Sequence, residues 1–244
     1  MTLEEAIELA NQGDLEVMNT LARYYYDQKE YNEARTWHCR AAEGGLVQAF
    51  IPAALLTNML TRAARKVSGG GAIHDQDVFD LTRALQWIDR ARANGLTTDA
   101  DGSIIRERAL CAYAASKKEG SSITAEDAIA YLKEGYATAG RTPEVEIYLA
   151  FALFEAPQLS PEDASFCFNL LKRCCSYTEE DEPDVKLGIL DAYLGLCYLD
   201  GKGCSVDDNA AYECFLKAGQ KDFDCSDMLR NFKKKMFGGY VFKR

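Results

Sequence analysis

Apolar positions along this chain recur at helical spacing, and one short arrangement of them returns five times. Ala34, Trp37, Ala41 and Gly45 stand in ARTWHCRAAEGG, and Ala84, Trp87, Ala91 and Gly95 stand at the same spacing in ALQWIDRARANG. Ala128 and Tyr131 open AIAYLKEGYATAG, Ala164 and Cys167 open ASFCFNLLKRCC, and Ala211, Phe215 and Ala218 recur at i, i+4 and i+7. Such intervals put side chains on one face of a helix. The leading alanines lie 50, 44, 36 and 47 residues apart, so each interval holds a second helix. These partner helices are expected over 16–26, 48–65, 104–117, 143–154 and 184–199. The small residues let neighbouring helices approach, and the aromatics fill the space between hairpins. One hairpin cannot bury its apolar face alone, but a stack can.

Local signals punctuate the same elements. Thr124 in TAED and Ser160 in SPED are N-caps with an acid three residues later, and Pro161 suits a first helical position. Gly201 and Gly203 end one helix and permit a tight loop, after which Ser205 or Asp207 caps the next. A short acidic helix over 3–11 and an amphipathic helix over 226–236 read as caps. In the second, Met228, Leu229, Phe232 and Met236 face inward, and Arg230 with Lys233, Lys234 and Lys235 lines the outside. Gly238 and Gly239 stop it, and Tyr240, Val241 and Phe242 fold back. No alternating β-branched segment predicts a strand. The expectation is an all-α chain of eleven or twelve helices and no sheet. It is one domain over 1–244, with repeats at about 14–45, 46–95, 102–140, 143–175 and 184–219.

The last unit, LGLCYLDGKGCSVDDNAAYECFLKAG, resembles the Sel-1-like repeat, a relative of the tetratricopeptide repeat. Leu194, Gly195, Tyr198, Gly201, Gly203, Asp207, Ala211, Lys217 and Ala218 stand in the register of that repeat, and Gly219 departs at its second closing alanine. The first unit is similar through Leu21, Tyr25, Ala34, Trp37, Arg40, Ala41, Ala42 and Gly45, with a shorter loop, DQKE. The three middle units keep few of the glycines. The resemblance implies a right-handed α-α superhelix used as an interaction scaffold, and it names no ligand.

Composition narrows the partners. The 38 acidic residues exceed the 28 basic ones, for a net charge of −10. Phosphate backbones call for a basic stripe, so nucleic acid is not the expected partner. No apolar run approaches the roughly 20 residues that span a bilayer. The segment MTLEEAIELANQGD carries acids where a secretory leader carries bases. Nine cysteines without regular pairing read as reduced thiols, and the chain is expected in the cytoplasm.

Residues able to carry chemistry fit structural roles better. His38 and Cys39 are adjacent on a helix and point about 100° apart, and His38 takes the slot that holds Phe215 in the last unit. His74 stands in a loop. Cys167 and Cys214 replace the tryptophans of other units, and Cys204 closes a loop, so all three read as buried small hydrophobes. Cys174 and Cys175 end a helix beside acids, which raises a thiol pKa. No C-x-x-C occurs, and two histidines make a poor zinc set. Gly69–Gly71 lacks the lysine and strand of a phosphate loop and reads as a linker. The run Glu179–Asp184 reads as a solvated loop.

The function expected is therefore non-catalytic: a scaffold that binds a peptide or protein segment, with no cofactor and no metal. Competing readings are a regulatory homo-oligomer and a hydrolase-type enzyme on a helical repeat fold. A solenoid of this type has a concave face made by the first helix of each pair. By register that face includes Asn19, Arg23 and Tyr26, then Leu55 and Asn58, then Phe151 and Phe154, then Tyr193 and Leu196. Arg23 is the best candidate for a polar contact, and a surface ion pair to Glu16 or Asp27 is its alternative.

Overall fold

The computed structural model describes residues 1–138, 142–178, 180, 187–236 and 238–243. It divides into two compact units, Met1–Gly140 and Arg141–Arg244. Among the described residues both are helical apart from one short hairpin.

The first unit holds α1 (Leu3–Asn11), α2 (Leu15–Asp27), α3 (Tyr31–Glu43), α4 (Val47–Ser68), α5 (Asp75–Ala93), α6 (Asp101–Ser116) and α7 (Ala125–Thr138). Each packs on its neighbours in sequence, and α4 also packs on α6. That sequential stacking of helix pairs is the arrangement expected from the repeats. Caps set the starts: Thr2 and Glu5 form a reciprocal capping box, and the Asp14 carboxylate accepts from the Val17 amide at 3.0 Å. At the end of α4, Gly69 takes φ +58° and closes the helix in the left-handed region. Alanines make the close seams. Ala34, Ala41, Ala49, Ala53, Ala84, Ala91 and Ala112 have no exposed surface. Leu21, Phe50, Leu81, Trp87, Ile88 and Ile104 fill the space between them.

The second unit holds α8 (Pro143–Glu155), α9 (Pro161–Cys174), α10 (Gly188–Asp200), α11 (Asp208–Gln220), α12 (Ser226–Arg230), β1 (Phe232–Lys234) and β2 (Tyr240–Phe242). Ser160 caps α9. Asp207, not Ser205, caps α11, accepting from the Asn209 and Ala210 amides at 3.0 Å. The ring of Phe215 lies over Gly195, where an added Cβ would come within 2.9 Å of it. The expected start of α10 at 184, and the acidic run Glu179–Asp184 apart from Glu180, lie outside the described residues.

Two expectations fail at the C-terminus. The helix expected over 226–236 stops at Arg230, and a two-stranded antiparallel sheet follows, with Phe232 opposite Phe242. Gly238 and Gly239, at φ +93° and +78°, allow the tight reversal. Aromatic packing then holds the ribbon. Tyr240 stacks on Tyr212 at 3.6 Å, and Phe232 meets Phe242 edge to face at 5.0 Å. The outer amides of β2 are also taken, by Asn209 for Tyr240 and by Asp208 for Phe242.

Candidate binding groove

In the first unit, a cavity of about 420 Å³ opens between α2, α3 and α4. Pro52, Leu55, Leu56 and Met59 line it from α4, Arg23, Tyr26 and Asp27 from α2, and His38 from α3. Tyr26, Leu55 and Met59 stay between 41% and 49% exposed, an unusual setting for three large apolar side chains that converge on one hollow. Tyr26 is steadied edge to face by Tyr31 at 5.4 Å.

Three expected groove residues, Arg23, Tyr26 and Leu55, therefore meet at one cavity. Neither expected ion pair of Arg23 forms: among the described residues no hydrogen bond or salt bridge reaches its guanidinium. Two others do not reach the groove. Asn19 is buried and does not line the cavity, and Asn58 is buried with its amide donating to Ser103 Oγ at 2.9 Å. Their expected exposure came from register alone, and at Asn58 the helix α6, which carries Ser103, covers that side of α4. Pro52, Leu56 and Met59 were missed, though the intervals among 52, 55, 56 and 59 are themselves an apolar helical stripe.

The remaining candidates belong to the second unit. Phe151 is buried and meets Tyr193 edge to face at 5.6 Å. Phe154 stacks on Tyr193 at 4.0 Å, with the Lys202 ammonium 4.6 Å from its ring. The Tyr193 hydroxyl donates to Glu155 at 3.1 Å, and burial followed by that carboxylate pushes its pKa up to about 12. Leu196 packs against the core of α10 and α11. These rings satisfy one another, and they make a packed aromatic cluster instead of the open groove wall expected.

His38 is 4% exposed, and its Nδ1 has no partner among the described residues. Burial, then the charge of Arg23, lowers its pKa to about 4. Above the unfolded value of about 6.5 both states are neutral and stability is level. As pH falls through 6.5 the unfolded chain takes a proton that the folded chain refuses, so stability drops until both are charged near pH 4. The full loss is about 3 kcal/mol. His38→Gln should flatten this part of the profile when urea midpoints are compared across the same pH range. An unchanged slope would show that His38 titrates normally.

The thiols are not poised for reaction. Burial pushes Cys167 and Cys214 up to about 11 and Cys174 up to about 12. Burial also raises Cys175, ahead of the acid beside it, which is Asp191. Cys204 is half-buried, not enclosed as expected, because the Gly201–Gly203 loop around it lies at the surface. At about pH 8 an aromatic disulfide reagent should modify Cys204 well before Cys167 and Cys174, which should wait for unfolding. Equal native rates for all three would contradict this ordering. His74 starts α5, its amide donating to Asp77 at 2.8 Å. Gly69–Gly71 links α4 to the segment before α5.

Among the described residues no group of histidine, cysteine and carboxylate side chains is arranged to hold a metal, and no helix is long and apolar enough to cross a membrane. No protein-family model matches the chain, and no curated protein matches it. Among solved structures the chain is similar to a Sel1 repeat protein from Oxalobacter formigenes, at 16% identity, with a TM-score of 0.42 over 91% of this chain. It spans 56% of that protein, a little over half its length.

Proposed function

We propose that the chain is a non-catalytic interaction scaffold that receives a protein segment on the α2–α4 face, and that residues 1–244 act as one repeat domain. One observation carries the reading: Tyr26, Leu55 and Met59 remain exposed around a cavity beside an arginine that has no partner among the described residues. A partner helix satisfies its own backbone and would need only to lay apolar side chains into this hollow. Arg23 can then fork to a carboxylate of the partner. The cytoplasm is the compartment this reading assumes.

A photo-crosslinking residue at Leu55 or Met59, compared with one at the exposed Phe79, tests the assignment in cells. The expected result is one discrete crosslinked protein from positions 55 and 59 and not from 79. With that partner in hand, Arg23→Ala should weaken binding by about 1–3 kcal/mol and leave the melting temperature unchanged. Crosslinks only to a second copy of the chain would replace this reading with a homo-oligomer.

A further inference from the structure

The cavity between α2, α3 and α4 also has the makings of a small-molecule site. Its volume, about 420 Å³, lies within the roughly 300–1,000 Å³ usual for such sites. Its lining from α4 is apolar, from Pro52, Leu55, Leu56 and Met59. Arg23 lines it without an ion pair among the described residues, and His38 lines the same cavity. His38 is more than nine-tenths buried and has a ring nitrogen with no partner among the described residues. With Arg23 and Asp27, His38 is one of the polar side chains that a ligand in the cavity would meet.

We propose that this cavity binds a small amphipathic monocarboxylate, of the size of a medium-chain fatty acid, with its carboxylate on Arg23 and His38 and its tail on Pro52, Leu56 and Met59. The chemistry selects each part. A carboxylate only accepts, and its two oxygens take both the guanidinium fork and an imidazole N–H. An amine is repelled by Arg23. A dicarboxylate would bring its second charge toward Asp27, which lines the same cavity. A peptide backbone inside the hollow would strand most of its N–H and C=O groups, because the side chains that line it are mostly apolar. The inference does not rest on the scaffold reading; a ligand and a partner's side chains would compete for this hollow and for Arg23, and the N-acetyl-leucinamide arm of the test separates the two.

Titration of the isotope-labelled full chain with octanoate, octanamide and N-acetyl-leucinamide, followed by amide and methyl NMR shifts, tests it. Octanoate should give saturable shifts confined to α2, α3 and α4, with octanamide about tenfold weaker or worse. Arg23→Gln should erase that preference, and Asp27→Asn should tighten octanoate several-fold; both positions are exposed, so neither variant disturbs the core. Equal affinity for acid and amide, undiminished octanoate binding in Arg23→Gln, or no saturable shift with octanoate would each overturn the proposal. Tighter binding of N-acetyl-leucinamide than of octanoate would overturn it too and assign the cavity to a peptide side chain.

Discussion

Replacing Gly203 with alanine is expected to destabilise the unit formed by residues 141–244 by about 3 kcal/mol or more. Two costs combine. Gly203 sits at φ +75°, where a side chain costs roughly 1–2 kcal/mol. Its Cβ would also run into the carbonyl of Ala164 and reach 2.8 Å from the Ser165 amide nitrogen, both on α9. Those obstacles are backbone, so they cannot swing aside as the tip of a side chain could, and overpacking of this kind adds about 1–3 kcal/mol. Gly219 provides the control. It lies in α11 with open space where a Cβ would go, so Gly219→Ala should be neutral or stabilise by up to about 1 kcal/mol. Both tryptophans, Trp37 and Trp87, are in the first unit, so far-UV circular dichroism in urea is the probe to use here. A Gly203→Ala midpoint close to that of the parent chain would show that the loop can retreat from α9.

Glu107→Ala should cost the first unit about 3–5 kcal/mol. Glu107 of α6 and Arg65 of α4 are 2% and 8% exposed, and the guanidinium donates through Nε at 2.6 Å and through a second nitrogen at 3.2 Å. Removing the carboxylate leaves a buried positive charge without its bidentate counterion, which is far worse than removing the pair. Arg65→Met combined with Glu107→Leu should therefore recover most of the loss, because an apolar pair of similar volume carries no desolvation cost. Tryptophan fluorescence during urea unfolding reads this unit directly. If the single variant lost under about 1 kcal/mol, the pair would be behaving as a solvated surface bridge.

The helices themselves were legible in the chain because their causes are local. The intervals from Ala34 to Trp37 and Ala41 define a face whatever lies beyond it, and Thr124, Ser160 and Asp207 close their helix ends through atoms two or three residues away. The burial of Cys167 and Cys214 followed from the same register. Arg23, Tyr26 and Leu55 were found in this way as well, since each lies on the side of its helix that the core residues leave free. What register does not contain is whether a second helix covers that free side. Asn19 and Asn58 look as open in sequence as Arg23, yet both are enclosed. Arg65 and Glu107 lie 42 residues apart, with nothing local to pair them. At the C-terminus, the basic run after Arg230 has an acceptable helical pattern, but Phe232, Tyr240 and Phe242 gain more by packing as a ribbon against Tyr212 and Phe215. Helix formation and capping depend on neighbours along the chain, whereas burial, cavity shape and charge pairing depend on the distance of closest approach between helices, which the tertiary packing alone sets.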